Sequence, residues 1–173
     1  MERVMIFIDG SNLYNGLRAL GIRGNLDFAR FVERLCGSDR RLMRTYYYNC
    51  PLIRQIDAQS YREQQQFFAA LQRIPYFEIR LGRLQRRGST WVEKGVDVAI
   101  ATDMLVLAFA DAYDTAILVS GDADYARVVD ELKRLGKHVE VVYVAASNAH
   151  ELWTVADRRR ELSQEFLAGC LLR

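Results

Sequence analysis

Near its N-terminus the chain reads Ile6-Phe7-Ile8-Asp9-Gly10-Ser11-Asn12, in which an apolar run ends in a polar turn that carries an aspartate. The whole run from Val4 to Ile8 has the length and composition of a strand buried at the centre of a sheet. Later in the chain, the segment Leu118-Val119-Ser120-Gly121-Asp122-Ala123-Asp124 has the same design. Side chains just past the carboxyl ends of parallel strands form the ligand crevice of an α/β sheet, so the two segments predict a shared site.

The rest of the sequence alternates between strand-like and helix-like segments. Further strands are predicted over residues 42–48, 77–84, 115–119 and 138–144. Helices are predicted over residues 13–20, 28–37, 56–71, 96–110, 125–135 and 148–160, with a short helix in the last dozen residues, and residues 85–90 have the composition of a loop. This alternation implies right-handed crossovers and a mainly parallel central sheet of about five strands in an α/β fold. We expect one domain spanning residues 1–173, because no repeat or Pro/Gly-rich linker interrupts the pattern.

A third carboxylate segment, Lys94-Gly95-Val96-Asp97, opens a strongly apolar helix that also carries Asp103. The predicted topology brings four acids to one edge of the sheet: Asp9, Asp97, Asp122 and Asp124. Clustered carboxylates repel one another unless a cation lies between them, so this cluster predicts a Mg²⁺ site with oxygen ligands. Asp103 lies about 120° further round the helix than Asp97, and it is either a partly buried acid of the site or a buried acid satisfied elsewhere.

Each aspartate also has a simpler explanation. Asp9, Asp122 and Asp124 are placed to cap the helices that follow them, and Asp97 is placed to complement a helix dipole. We favour the shared site because all of these acids fall at strand ends or at a helix start. Two further polar side chains lie beside them in the sequence: Asn12 and Ser120.

Composition excludes several classes of protein. The chain has 173 residues, of which 50% are hydrophobic and 27% charged, as expected of a soluble globular domain. No apolar run approaches the ~18 residues of a membrane span, and no signal peptide is visible. The three cysteines, Cys36, Cys50 and Cys170, have no metal-ligand spacing, which favours free thiols in a reducing compartment and a cytoplasmic protein.

The basic residues are more informative than the net charge of +2. Only Lys94, Lys133 and Lys137 are lysines, and the other basic residues are arginines, which suit phosphate contacts and base stacking. GC-rich codon usage explains the same bias equally well. His138 and His150 lie far from the carboxylate segments, which argues against a histidine-based zinc site or a Ser-His-Asp triad.

Three motifs, taken in order, resemble the NYN domain, the LabA-like branch of the PIN-like nuclease superfamily. They are Ile8–Leu13, Lys94–Asp97 with Thr102–Met104, and Leu118–Tyr125, supported by Gly136–Val139 and Ala156–Asp157. The resemblance covers roughly residues 3–158. It implies a Rossmann-like (PIN-like) α/β/α sandwich and a ribonuclease site that depends on Mg²⁺ or Mn²⁺.

The resemblance also implies roles for individual residues. The acids that hold the metal would be Asp9, Asp97, Asp122 and Asp124. Asn12 would position a metal-bound water or a phosphate. We add Lys94 as a catalytic cation, because it is close enough to Asp97 to shield the charge that develops on a reacting phosphate, and we keep Ser120 and Asp103 as further members of the site.

An arginine-rich segment leads directly into the acids and suggests a path for the substrate. Its members are Arg83, Arg86, Arg87, Trp91 and Lys94. Arginines beside an aromatic ring suit a phosphate backbone with an unstacked base, although a solvated loop with one anchoring tryptophan has the same composition. The run Tyr46–Tyr48 either offers further stacking or belongs to the core.

We therefore expect a metal-dependent endoribonuclease that binds RNA, or DNA, and does not bind membranes, with a homodimer left open. Two alternatives remain. The first is a nucleic-acid-binding or regulatory module of the same fold with negligible turnover. The second is a metal-dependent phosphohydrolase acting on small molecules. An aspartyl-phosphate enzyme of that kind would have a second aspartate at position 11, where this chain has Ser11.

Overall fold

The computed structural model describes residues 1–22, 26–145 and 150–172. Its strands are β1 (Arg3–Asp9), β2 (Arg41–Asn49), β3 (Phe77–Leu81), β4 (Arg83–Arg87), β5 (Thr90–Lys94), β6 (Thr115–Val119), β7 (His138–Tyr143) and β8 (Arg158–Glu161). Its helices are α1 (Gly10–Ala19), α2 (Phe28–Cys36), α3 (Ala58–Leu71), α4 (Val96–Phe109), α5 (Ala126–Arg134), α6 (His150–Val155) and α7 (Gln164–Ala168), and a 3₁₀ turn spans Ala123–Tyr125. Within the described ranges, no helix combines the length and hydropathy that a transmembrane span requires.

The central sheet has six strands in the order β3-β2-β1-β6-β7-β8. Every neighbouring pair in it is parallel, which confirms the predicted α/β class with a mainly parallel sheet. The sheet has one strand more than expected. Because β1 and β6 are neighbours, with Ile8 paired to Val119, their carboxyl ends open onto the same stretch of the sheet edge.

Alternate residues of β1 pack against opposite layers, as the strand period of two requires. Ile6 and Ile8 join the core beneath α1 and α2, whereas Met5 and Phe7 join the core beneath α4 and α5. Both faces of the sheet are therefore covered, and the architecture is an α/β/α sandwich.

The helix predicted over residues 148–160 is wrong in its second half. α6 ends at Val155, and the charged residues that follow form β8, which pairs with β7 through Glu140 and Arg158. The reason is tertiary: Glu140 is only 1% exposed, and Arg160 of β8 reaches it at 3.3 Å beside Arg40 at 2.7 Å. A buried acid needs such partners, and this requirement outweighs the helix-like composition. Residues 148 and 149 lie outside the described residues.

The loop predicted over residues 85–90 is also wrong, because β4 and β5 form an antiparallel hairpin of their own. Gly88 adopts a φ of 60° in the two-residue turn, a conformation that favours glycine. The strand predicted over residues 77–84 is divided at Gly82, where a Cβ would lie 2.7 Å from the Lys94 carbonyl oxygen. The hairpin was missed because its arginine-rich strands lack the apolar alternation that identifies a half-buried strand.

Gly10 sets how closely α1 approaches β2, and through this contact it fixes the start of the helix that Asp9 caps. A Cβ at this position would lie 2.6 Å from the Tyr48 carbonyl oxygen and as close to the Tyr47 ring. We expect Gly10→Ala to lower the free energy of unfolding by about 1–3 kcal/mol, the usual cost of overpacking. Urea denaturation followed by circular dichroism measures the change, and an unaltered midpoint would mean that α1 has room to shift.

Candidate functional site

Asp9 is the last residue of β1, and its side chain is held by donors on both oxygens. Its Oδ1 accepts the Asn12 N–H at 3.0 Å, so Asp9 caps α1 as the simpler explanation requires. Its Oδ2 lies 3.4 Å from the Ser120 hydroxyl, which donates to it from the end of β6. Asp9 as a residue is only 5% exposed. A helix cap at the surface does not need to be this deeply buried, so Asp9 is expected to have a role besides capping α1.

Tyr125 connects Asp9 to Asp97, the acid in the first turn of α4. Its hydroxyl oxygen lies 3.3 Å from Asp9 Oδ2 and 3.3 Å from Asp97 Oδ1, and the residue is only 2% exposed. A single hydroxyl proton can serve one of these two oxygens at a time. The carboxylates of β1 and α4 are thus within two hydrogen-bond lengths of each other at the carboxyl edge of the sheet.

The electrostatics of this pair are unfavourable without a cation. Burial raises the pKa of Asp9 to about 6, and the negative charges of Asp97 and Glu93 add to the increase against the opposing Asn12 N–H. The pKa of Tyr125 is raised as well, first by burial and then by Asp9, Asp97 and Asp122. The site therefore carries an excess of negative charge that a bound cation would relieve.

Asn12 and Ser120 tie the two strand-end turns together. Asn12 Oδ1 accepts the Gly121 N–H at 2.9 Å, and the Ser120 hydroxyl accepts the Asp122 N–H at 3.2 Å. Both polar side chains therefore belong to the scaffold of the site. The carbonyl oxygen of Asn12 is engaged within the protein, so the predicted contact of Asn12 with a metal-bound water or phosphate stays a prediction.

Asp122 and Asp124 occupy different surroundings. Asp122 Oδ1 accepts the Asp124 N–H at 3.0 Å and caps the 3₁₀ turn that carries Tyr125. Asp122 is half-buried and close enough to raise the pKa of Tyr125. Asp124 is exposed, and its side chain has no hydrogen bond or ion pair with any described residue. The structure thus places Asp122 beside the Asp9–Asp97 pair and Asp124 at the surface of the same turn.

Asp103 has a partner of its own. Its Oδ2 accepts a hydrogen bond from the Tyr48 hydroxyl at 2.8 Å, and Tyr48 is fully buried. Asp103 is half-buried, and this contact favours its interpretation as an acid that is satisfied by a residue other than Asp9 and Asp97. Tyr46 and Tyr47 are 6% and 3% exposed, so the tyrosine run as a whole belongs to the core rather than to a stacking surface.

Glu93 is an acid near the site that the sequence did not suggest. The Ser11 hydroxyl donates to Glu93 Oε1 at 2.7 Å, which joins the β4–β5 hairpin to the first turn of α1. Glu93 is exposed in β5, and its contact with Ser11 depends on how the hairpin packs against α1, which no local pattern in the sequence indicates. The sequence indicates Tyr125 only as the last residue of the motif Leu118–Tyr125, because no spacing rule predicts where a tyrosine hydroxyl will point.

The hairpin divides the predicted substrate-binding residues between two faces. Cross-strand partners share a face, so Arg86 and Trp91 lie on the side of Glu93. The other three members, Arg83, Arg87 and Lys94, lie on the opposite face. Trp91 is 44% exposed, and the arginines are exposed as well. Because Glu93 turns towards Ser11 at the start of α1, the face with Arg86 and Trp91 is the one that leads to Asp9.

The donor set suits a hard divalent cation. Asp9 and Asp97 offer carboxylate oxygens, the ligands that Mg²⁺ and Mn²⁺ prefer, and Mg²⁺ commonly takes one or two direct carboxylates with waters completing its shell. Across residues 1–22, 26–145 and 150–172, no three or more Asp, Glu, His or Cys side chains are grouped closely enough to enclose a metal. The arrangement therefore fits a site with two direct protein ligands and water, rather than a closed cage of four acids.

Comparisons with known proteins agree with the fold and with the motifs. The sequence model of the NYN domain matches residues 3–163. The chain is 27% identical over 174 residues to the low amplitude and bright protein LabA of Synechococcus elongatus, an alignment that covers 94% of this chain and 84% of the relative. It also resembles the crystal structure of a protein of unknown function from Vibrio parahaemolyticus, with a TM-score of 0.77, 27% identity and 96% of both chains covered. The match over residues 3–163, together with the fold and the motifs, shows that the chain belongs to the NYN domain family, whose fold is that of the PIN-like nucleases.

Proposed function

We propose that this protein is a ribonuclease that depends on Mg²⁺ or Mn²⁺ and hydrolyses RNA phosphodiester bonds. The observation that carries the proposal is the meeting of Asp9 and Asp97 on one buried tyrosine hydroxyl at the carboxyl edge of the sheet. A buried carboxylate with a second carboxylate this close to it is a poor arrangement for stability alone. It is a good arrangement for holding a cation next to a bound phosphate.

The residues of the site have distinct tasks in this proposal. A bound Mg²⁺ or Mn²⁺ would activate water and offset the charge that builds on the phosphate oxygens. Asp9 and Asp97 would hold the ion directly, and Asp122, with Asp124 beside it, would bind it through water. Ser120 and Asn12 keep the two strand-end turns in register through their hydrogen bonds to Asp9 and Gly121.

The hairpin supplies the cations that the acid cluster lacks. Arg86 and Trp91 form a cross-strand pair, so an arginine and an exposed aromatic ring share one face of the hairpin, with Arg86 Nε donating to the Gly88 carbonyl oxygen at 3.0 Å. Such a pair suits a single strand, since the guanidinium group binds phosphate and the ring stacks on a base. The hydrogen bond between Ser11 and Glu93 sets the base of the hairpin against α1, so a strand bound along this face would run towards Asp9.

Because Arg86 and Arg87 lie on opposite faces of the hairpin, we expect their replacement by alanine to affect RNA binding unequally. We expect Arg86→Ala to weaken binding of single-stranded RNA several-fold and to reduce the slope of log affinity against log salt by about 0.7, the value for one phosphate contact. Arg87→Ala, on the opposite face, serves as the matched control and is expected to change both quantities less. Fluorescence anisotropy over a salt series measures them, and equal effects would mean that the strand does not follow the Trp91 face.

A cleavage assay separates the proposed activity from its alternatives. Labelled single-stranded RNA, single-stranded DNA and p-nitrophenyl phosphate are each incubated with Mn²⁺ and, in parallel, with EDTA. RNA cleavage that EDTA abolishes supports the proposal. RNA binding without cleavage would identify a nucleic-acid-binding module, and hydrolysis of p-nitrophenyl phosphate alone would identify a small-molecule phosphohydrolase.

A further inference from the structure

We propose that the hydroxyl of Tyr125 is a positioning group that holds Asp9 and Asp97 together so that one divalent cation can bind to both. The inference rests on the proposed function, because it concerns the metal of that same site. It adds a residue that binds neither the metal nor the substrate and acts only through the two carboxylates.

The geometry gives the hydroxyl a place between two separate elements of the fold. Asp9 belongs to the end of β1 and Asp97 to the first turn of α4, and the Tyr125 oxygen is 3.3 Å from a carboxylate oxygen of each. Asp9 is already fixed by the Asn12 N–H and lies near the Ser120 hydroxyl. Asp97 is exposed, and no other hydrogen bond of its side chain is found among the described residues. Tyr125 is therefore the contact that holds Asp97 beside Asp9.

This contact matters because the two acids carry like charges. Without a donor between them, repulsion favours rotation of the Asp97 side chain into solvent, away from the buried Asp9. A shared proton donor offsets part of that repulsion before a cation is present. Asp97 keeps its second oxygen, and each oxygen of Asp9 has lone pairs beyond those that its hydrogen bonds use, so the hydroxyl leaves room for a metal.

The ring of Tyr125 has a separate, structural task. It packs in the buried core beneath α4 and α5, whose other members include Ile100, Val129 and Leu132. A phenylalanine at this position keeps that packing and removes only the oxygen. Tyr125→Phe therefore tests the hydroxyl without creating a cavity.

Tyr48→Phe is the matched control. Tyr48 is also a buried tyrosine of this core, and its hydroxyl also donates to an aspartate, Asp103, at 2.8 Å. Both variants lose a hydrogen bond from a buried tyrosine to an aspartate. They differ in whether that bond belongs to the Asp9–Asp97 pair.

The experiment measures Mn²⁺ affinity by isothermal titration calorimetry and thermal unfolding in EDTA for the wild type and both variants. Loss of a partner that orients metal ligands commonly weakens metal binding by about 10- to 100-fold. We expect Tyr125→Phe to weaken Mn²⁺ binding by at least about 10-fold, and Tyr48→Phe to leave it within about 2-fold of the wild type.

The outcomes separate this inference from the proposed function. Wild-type affinity in Tyr125→Phe, with tight binding in the wild type, would overturn the positioning role alone and leave the metal site standing. Equal weakening in both variants would also overturn it, since a general loss of packing would then be the cause. If the wild type binds no Mn²⁺ at millimolar concentration, both the inference and the proposed function fail.

Discussion

Replacing Asp9 with asparagine is expected to abolish metal-dependent RNA cleavage and, in EDTA, to make the protein more stable. Cleavage should fall by about 1,000-fold or more, because Asp9 is one of the two carboxylates that would hold the cation and such groups act as a unit. The helix cap survives, since asparagine is as good an N-cap as aspartate and keeps an oxygen for the Asn12 N–H. Single-turnover rates and urea denaturation measure the two effects.

The gain in stability has a defined dependence on pH. The pKa of Asp9 rises from 3.8 in the unfolded chain to about 6 in the folded protein, so ionisation of this group opposes folding. That penalty is absent below about pH 4, grows as the pH rises, and is complete above about pH 6. We expect Asp9→Asn to raise the free energy of unfolding by up to about 3 kcal/mol at pH 7.5 and by less than about 0.5 kcal/mol at pH 3.5. A gain that is equal at both pH values would mean that packing, not charge, is its source.

Asp97→Asn and Asp103→Asn are expected to have different effects on cleavage, although both acids belong to α4. Asp97 faces Asp9 across Tyr125, so its replacement should lower cleavage by about 100-fold or more while changing stability little, because the side chain is exposed. Asp103 accepts its hydrogen bond from Tyr48, and asparagine can still accept it. Asp103→Asn should therefore retain most of the cleavage activity.

The same single-turnover assay decides between the two interpretations of Asp103. If the cleavage rate falls as far in Asp103→Asn as in Asp97→Asn, Asp103 belongs to the active site. Retained cleavage in Asp97→Asn would contradict the assignment of Asp97 as a ligand. Circular dichroism of both variants controls for unfolding.

The parts of the fold that could be predicted are those whose signal is local. Val4–Ile8 and Thr115–Val119 are continuous apolar runs, and a run of that length followed by a polar turn has few alternatives to a buried parallel strand. The strand over Arg158–Glu161 could not be predicted in this way. Its four charged residues form a strand because they pair with β7 and because Arg160 reaches the buried Glu140, which only the folded chain brings together.

The candidate site also contains residues with a local sequence signal and residues whose contacts depend on the fold. The sequence indicates Asp9 and Asp97, because one follows a buried strand and the other starts a helix, and the topology then brings these positions to one edge. The hydroxyl of Tyr125 and the carboxylate of Glu93 were not predicted, since their directions depend on how the 3₁₀ turn and the hairpin pack against α1 and α4. The roles of Asp124 and Lys94 stay predictions, with Asp124 exposed and Lys94 on the hairpin face opposite Glu93.

Anomalous scattering from crystals grown with Mn²⁺ would show whether Asp9 and Asp97 hold a divalent cation. We expect an anomalous peak within about 2.5 Å of a carboxylate oxygen of Asp9 and of Asp97, next to the Tyr125 hydroxyl. The same peak should be absent from crystals of Asp9→Asn. A wild-type map with no peak at this edge of the sheet, or with Mn²⁺ bound only elsewhere, would mean that these two acids are not the metal ligands.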